Sequence, residues 1–595
     1  MLRSLTLKRE IWAIVFFCFA VRGYSQYTMT TFEERKAAFL ARNGVGNEHC
    51  GQAVWAYLEN NDQSKADLIH NHIVEWSTAT SWGDWGEYCT PWRTGADWSC
   101  VFLARIYYQY GDRISQEDKE MLEDLFYDTA KDKYFYRAGD PWTSTQINNQ
   151  ALDYSFLYVY AQDKKDLMVP FGDSSMDWVH TVSYDGREYH AGDIVNAYNF
   201  ARDWIYSYMD KIVEIGDIEM DSSYTRAYIV ALLLLYDFAV DTEMKRKAKM
   251  LLDFYFIESI LDVSGAMYCG WFGRTYGHLV ISGHPQVYWR IYWGIGDYDP
   301  GSIMGNYYDA YVSTYRMQEL IEDIGILEDE PDDYWHINKE NNRANYMPLT
   351  TGKWSFITKN YNLGGCPSGW TFNMRSGEDD MHGIRIWINE EENIGEVGWG
   401  DTVGEENYIK IGKNGFQYKN AMLIKCSPPY IHIEMNENDG FDLDQSVSGW
   451  RFLVEGKAAV AIKMNSTSQA LEAATLGVDY DTYYDFKDAI LNEAELGSGY
   501  YRTTQGTKIW YQYDSTQKIY YTYAGSQNVW DYPFKRIETA TNTGEKIVYW
   551  NGKTMYVQHH GKRLVYDFDN WTWSESSDTD APNAPQGVTV QSADN

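Results

Sequence analysis

The feature that most constrains this chain is a change of period. From about Thr31 to Ile326, apolar residues recur at helical spacing; the acidic, proline-containing run Glu328-Asp-Glu-Pro-Asp-Asp333 ends that pattern, and alternation at the spacing of strands follows. The helical runs are Phe32 to Arg42, Lys65 to Glu75, Trp98 to Tyr110, Gln116 to Asp132, Asn148 to Tyr160, Ile194 to Ile215, Ser223 to Val240, Thr242 to Leu261 and Asn306 to Ile324. Consecutive helices without strands predict an all-α domain, and antiparallel helical hairpins closed into a ring suit this length, an open solenoid being the alternative. Beyond the connector, Gly383 to Ile388, Met422 to Lys425, Tyr430 to Met435, Trp450 to Val454 and Ala458 to Lys463 read as strands. Lys546 to Trp550, Thr554 to Gln558 and Arg563 to Asp567 follow, joined by Asn551-Gly552 and His560-Gly561 turns. The fold class expected is therefore multidomain, α then β, with a ring (toroid) of helical hairpins over 26–345 and an antiparallel β-sandwich or stack of sheets over 346–575.

At 595 residues the chain exceeds what one hydrophobic core organises, which agrees with two domains. Residues 1–25 have the form of a signal peptide: Arg3, Lys8 and Arg9 precede the apolar stretch Ile11 to Val21, and Gly23-Tyr24-Ser25 offers a cleavage point before Gln26. A secreted protein without membrane insertion is expected, since no stretch reaches the ~18 uninterrupted apolar residues of a span. Six cysteines remain beyond the leader, with Cys89 and Cys100 the closest-spaced pair for a disulfide; buried thiols are the alternative. Residues 576–595 are rich in Ser, Asp and Pro and read as a disordered linker or tail.

A net charge of −34 excludes nucleic acid and anionic membrane as partners and demands a local basic cleft for any anionic substrate. The 24 Trp and 51 Tyr suit stacking on sugar rings as well as core filling. Their frequent placement beside Gly, Asn and Asp, as in Trp82-Gly-Asp-Trp-Gly-Glu-Tyr88, favours an aromatic-lined cleft.

Three stretches carry candidate chemistry. In Trp142-Thr-Ser-Thr-Gln-Ile-Asn-Asn-Gln-Ala-Leu-Asp-Tyr154, the amides of Asn148, Asn149 and Gln150 stand near a helix start, where they either cap it or hydrogen-bond a substrate carboxyl group. Glu219-Met-Asp-Ser-Ser-Tyr-Thr-Arg-Ala-Tyr228 opens the next Leu-rich helix, with Ser222 or Ser223 as its N-cap and Tyr224, Thr225 and Tyr228 the functional candidates. Gly265-Ala-Met-Tyr-Cys-Gly-Trp-Phe-Gly-Arg-Thr-Tyr-Gly-His278 then alternates Arg274, Tyr276 and His278 along one side of an extended segment. An arginine, a phenol and an imidazole so arranged can fix an anion and move protons.

The order Asn-Asn-Gln-Ala-Leu-Asp-Tyr, Ser-Ser-Tyr before a helix ending Asp-Phe-Ala, Leu-Leu-Asp, and Gly-Arg-Thr-Tyr resembles the α/α-toroid polysaccharide lyases, most nearly the glucuronan- and alginate-type enzymes and more distantly the heparinase type. Gly449 to Ala461 is similar to a strand pair of their β-domain, and the likeness runs through most of 140–465. The resemblance implies β-elimination on a uronic-acid polysaccharide, with Asn149 neutralising the C5 carboxylate, Arg274 as its cationic partner and Tyr276 transferring protons. Related lyases often carry His where this chain has Gln150 and Thr225, so the base is open between Tyr276 alone and Tyr276 with His278 or His190. His190 with Tyr198, in Asp185-Gly-Arg-Glu-Tyr-His-Ala-Gly-Asp193 and its continuation, resembles the His-then-Tyr arrangement of chondroitin- and hyaluronate-type lyases.

The alternatives are a toroid glycoside hydrolase, for which Asp84, Glu87, Asp153, Asp217, Glu219 and Asp221 offer carboxylate pairs, and a non-catalytic glycan-binding protein. No cofactor is expected. Asn436-Glu-Asn-Asp-Gly-Phe-Asp-Leu-Asp444 has the oxygen spacing of a calcium loop but lacks its terminal bidentate Glu, and reads as an acidic turn; Glu378-Asp-Asp-Met-His382 is the other stretch with ligands for a structural metal.

Overall fold

The computed structural model describes residues 31–43, 51–78, 97–131, 147–171, 182–190, 192–216, 225–264, 267–268, 272–275, 287–294, 308–325, 333–340, 351–365, 380–382, 384–390, 393–398, 414–425, 432–434, 442–465, 468–515, 519–528, 537–541 and 545–576. Helices occupy the N-terminal half and antiparallel sheets the C-terminal half, as the change of period predicts.

The helices are α1 (Phe32–Asn43), α2 (Gly51–Glu59), α3 (Ala66–Thr78), α4 (Asp97–Tyr110), α5 (Gln116–Lys131), α6 (Ile147–Ala161), α7 (Ala197–Ile215), α8 (Thr225–Phe238), α9 (Thr242–Ile260), α10 (Val287–Tyr292), α11 (Tyr308–Val312) and α12 (Glu319–Ile324). α8 is buried along Ala227 to Leu235 without a polar face, the burial pattern of an interior helix. α9 is started by Asp241, whose side chain accepts from the Glu243 N–H.

End-to-end contacts fix the direction of the inner helices. Tyr110 at the end of α4 donates to the Glu59 carboxylate at the end of α2. Arg105 of α4 pairs with Asp237 near the end of α8 at 2.7 Å, both side chains buried. Gln162, just past α6, donates to Phe238 O at the end of α8. Gln109 of α4 donates to Val312 O, the last carbonyl of α11. α2, α4, α6, α8 and α11 are therefore parallel, with C-termini at one end, and each of α2, α4, α6 and α8 begins at the other. Neighbouring contacts run α4 to α6, α6 to α8, α8 to α11 and α11 to α2. Trp55 of α2 meets Phe102 and Tyr110 of α4 edge-on, completing the sequence of neighbours.

Two local features depart from the periodicity. Short strands interrupt the helices: Val182–Tyr184 and Arg187–Tyr189 form a hairpin around Asp185 and Gly186, both in the left-handed region at φ 50° and 73°. Asp-Gly is a two-residue hairpin signal, and it falls in the connector between the expected helices Asn148 to Tyr160 and Ile194 to Ile215. The expected helix Asn306 to Ile324 is split into α11 and α12, because the Asp237 carboxylate accepts from both Thr314 N and Thr314 Oγ1 and holds the chain out of helix there.

The largest sheet has 11 antiparallel strands and begins at Tyr334–Glu340, ahead of the boundary at 346. Its last strands, from Lys546–Asn551 to Thr572–Ser576, follow one another in space as in sequence. A six-stranded sheet (Asn414–Tyr418, Ala421–Lys425, Asp442–Val447, Trp450–Glu455, Ala458–Met464, Ser468–Thr475) shares an apolar core with Phe356, Leu363 and Ile386 of the large one. On its far side, Phe416, Leu423, Trp450 and Phe452 pack with Phe486 and Ile490 of α13 (Tyr483–Glu493) and with Tyr501 and Ile509 of a five-stranded sheet. The capping box of Thr482 and Asp485 that starts α13 stands in the sequence, but the alternating strands around it mask the helix.

The terminal strands of the large sheet belong to the helical core. Val548, Trp550, Met555, Val557, Leu564, Tyr566 and Phe568 are buried in one cluster with the helices. Phe254 of α9 packs edge-on against Trp550 and Phe568. Asp253, fully buried, accepts from Tyr566 at 2.8 Å, Tyr315 at 2.6 Å and Lys249 at 2.7 Å.

Candidate functional site

The N-terminal end of the parallel helices holds the starts of α6 and α8, to which two of the sequence motifs belong. Asn148, Asn149 and Gln150 occupy the first turn of α6, and α8 starts one residue after Tyr224. Because α6 and α8 are parallel, these two starts share one end of the bundle. α9 is joined to the other end of α8 through Ala239, Val240 and Asp241, so it runs back and finishes at the same end. There Val263–Ser264 and Met267–Tyr268 form a tight antiparallel pair that returns the chain to the α9 terminus, four residues before the strand Phe272–Thr275 that carries Arg274.

That strand makes a second connection. Phe272–Thr275 pairs antiparallel with Asp380–His382, Thr275 opposite Asp380 and Phe272 opposite His382. The Arg274 segment is thus joined by backbone hydrogen bonds to the C-terminal half, alongside the Glu378-Asp-Asp-Met-His382 stretch. Tyr224, Tyr276 and His278 lie outside the described residues, as do Asp84, Glu87, Asp217, Glu219 and Asp221 of the carboxylate alternative and the Trp82 to Tyr88 stretch. Gln150 is buried, and Asp153 one turn further along α6 is 1% exposed.

His190 and Tyr198 sit elsewhere. Leu167 O, just past α6, accepts from Ala197 N at the start of α7, and Asn196 caps that helix and donates to Lys165 O. The start of α7 therefore lies at the C-terminal end of α6. Tyr198 stacks on Tyr158 with ring centroids 5.2 Å apart and has the Lys165 ammonium 3.9 Å from its ring centroid. Tyr158 is nine residues beyond Asn149, which at the α-helical rise is about 13 Å along the axis. His190 is exposed, with Nε2 3.7 Å from Glu188 Oε2. The structure thus does not bring this pair to the Asn149 end.

The electrostatics of the shared end follow from the helices. α2, α4, α6 and α8 all present their N-termini there, and each contributes about half a positive charge from unsatisfied N–H groups. In a chain of net charge −34 such helix termini are a local feature that favours an anion. The described aromatics are largely structural: Trp55, Trp204, Trp289, Tyr110 and Tyr154 are among the largest fully buried side chains. Trp204, Tyr208, Tyr228 and Tyr255 form a run of stacked rings at successive centroid distances of 5.5, 6.0 and 5.7 Å.

One polar cluster lies at this end without having been legible beforehand. Glu258 and Asp262, four apart at the end of α9, meet His336 of the strand Tyr334–Glu340, all three fully buried. Burial pushes the Asp262 carboxyl up to about 8 and the His336 imidazole down to about 3. The one sequence signal is the Glu258-x-x-x-Asp262 spacing on a single helical face; the histidine arrives only through the tertiary fold. Side chains of Asp380 to His382 and of Asn436 to Asp444 are outside the described residues. Cys100 is buried, and Cys89 is outside the described residues. Among the described residues, no helix is long and apolar enough to cross a membrane.

No protein-family model matches the chain, and no curated protein matches it.

Proposed function

We propose that the chain is a secreted polysaccharide lyase that cleaves a uronic-acid-containing polysaccharide by β-elimination, its helices closed into an (α/α) toroid and its sheets into an antiparallel sandwich. The ring is supported by the sequence of neighbours α2, α4, α6, α8, α11 and back to α2, and the sandwich by the shared core of the large and six-stranded sheets.

What supports the reading is helix direction: the Asn148-Asn149 turn and the start of α8 beyond Tyr224 share one end of the bundle, α9 runs back to that end, and the Arg274 strand follows α9 in the chain. β-Elimination needs that combination. The amide of Asn149 and the guanidinium of Arg274 neutralise the substrate's C5 carboxylate, which acidifies the C5 proton and stabilises the charge that develops as it leaves. A base takes that proton, the electron pair becomes the C4–C5 double bond, and the C4–O4 bond breaks. Tyr276 protonates the departing O4. As base, the Tyr276 phenol would need a cation such as Arg274 to favour the phenolate, since a free phenol ionises near pH ~10. His278 is the imidazole nearest in sequence for a shared role. The four helix N-termini supply the positive field an acidic sugar requires here.

The test is incubation of the purified protein with a panel of glucuronan, alginate and glycosaminoglycan chains, reading ultraviolet absorbance and reducing ends together. Lyase action raises both. Reducing ends without absorbance would mean hydrolysis, and binding without either would mean a non-catalytic glycan receptor.

A further inference from the structure

The Glu258, Asp262 and His336 cluster includes none of the residues assigned to substrate and lies in the seam between helices and sheet. His336 is in register with Thr539 on one side and Ser355 on the other, so the three side chains form a row across adjacent strands on one face of the large sheet. All three are fully buried. The row faces the end of α9, where Tyr334, two residues before His336, also donates to Leu261 O. Thr539 Oγ1 bonds His336 Nδ1 at 2.8 Å, which fixes the ring so that Nε2 is aimed at the helix. Among the described residues that Nε2 has no hydrogen-bond partner, and it stands 3.8 Å from Glu258 Oε1 and 3.8 Å from Asp262 Oδ2. One ligand atom from each of the three residues lies within 4.8 Å of the others.

We propose that Glu258, Asp262 and His336 bind a divalent metal ion of the zinc or manganese class, which clamps the end of α9 to the large sheet.

The chemistry matches on three counts. An imidazole nitrogen with two carboxylate oxygens is the mixed donor set such ions take, whereas calcium and magnesium prefer all-oxygen shells. Ligand bonds of about 2.0–2.1 Å around a tetrahedral ion place ligand atoms roughly 3.4 Å apart, so the two imidazole–carboxylate separations of 3.8 Å need close by only about half an ångström and the carboxylate–carboxylate separation, within 4.8 Å, by at most about 1.4 Å. A hydroxyl or carbonyl holding the second nitrogen of a ligand histidine is the usual support that orients it, and Thr539 is placed for that. The Ser355 hydroxyl beside Asp262 offers a further oxygen. The role inferred is structural, and it stands whether or not the lyase reading holds.

The experiment uses the full-length mature protein, with any affinity tag removed, and reads bound metal rather than activity. Plasma mass spectrometry should find close to one zinc or manganese per chain. Chelator should remove it and lower the melting temperature, and the same ion should restore both. His336→Gln and the double variant Glu258→Gln/Asp262→Asn should lose the ion. Thr539→Val, which keeps all three ligands and the packing volume, should weaken affinity about 10–100-fold. It serves as the deciding variant if the ligand substitutions do not fold. A metal-free protein whose melting temperature ignores millimolar zinc and manganese would overturn the proposal, as would stoichiometric metal that Thr539→Val and the ligand variants leave untouched.

Discussion

Gln162 and Phe238 tie two helix ends together: the Gln162 amide donates to Phe238 O at 2.9 Å, while its oxygen accepts from Val240 N at 3.0 Å. This side chain, 4% exposed, fixes the parallel alignment of α6 and α8 and so the common position of their first turns.

Replacing it with alanine removes two hydrogen bonds to part-buried backbone groups, each worth about 0.5–1.5 kcal/mol. Gln162→Ala should therefore lower unfolding free energy by about 1–3 kcal/mol, read by urea denaturation. A change near zero would show that the helix ends are held by other contacts.

The opposite end carries the proposed chemistry. Asn149→Ala should reduce turnover on the preferred polysaccharide by about 10²–10³-fold, the usual loss of one donor to a developing oxyanion. Tyr276→Phe should abolish the ultraviolet-absorbing product with circular dichroism unchanged. If the phenylalanine variant keeps near-normal turnover, Tyr276 is not the proton-transfer residue. His190→Ala, at the far end of α6, should change turnover far less than either.

A pH effect follows from Asp309 of α11. Burial raises its carboxyl from 3.8 to about 7, with the nearby Arg105 guanidinium offsetting part of the cost and the Asp237 charge adding to it. The folded protein then holds this proton more tightly than the unfolded chain. Its contribution to stability is full below 3.8 and is lost as pH rises through about 7. Asp309→Asn should remove that dependence, flattening the stability profile in this window by up to about 1.4 kcal/mol per pH unit. An unchanged slope would mean that another group dominates.

Arg105 and Asp237 form the buried ion pair beside it. Asp237→Ala should cost about 3–5 kcal/mol by leaving the guanidinium uncompensated, and it also removes the acceptor for both Thr314 bonds. Thermal melts of Asp237→Ala against Asp237→Asn separate the two effects, because the amide oxygen still accepts from Thr314.

Much of the architecture was readable because it rests on local rules. The runs that became α4, α5, α6, α8 and α9 carry their own periodicity, and the Asn551-Gly552 and His560-Gly561 turns define the terminal strands. What was not readable depends on distant pairings. The break before α12 is imposed by Asp237, 77 residues before Thr314, and the His336 seam joins α9 to three strands whose members are separated by up to ~200 residues. The separation of His190 from Asn149 likewise follows from helix direction, since spacing in sequence does not say at which end of a bundle a residue sits.

The placement of Trp550, Tyr566 and Phe568 against α9 also bears on how the protein is made. A ribosome that has emitted α1 to α12 has still not supplied the partners that cover Phe254 or the second phenol, of Tyr566, that donates to Asp253. The nascent N-terminal half must wait, with that surface uncovered, through the synthesis of more than two hundred further residues, a window in which chaperone binding or aggregation competes with folding. Expression of residues 26–345 alone should leave the same surface permanently open.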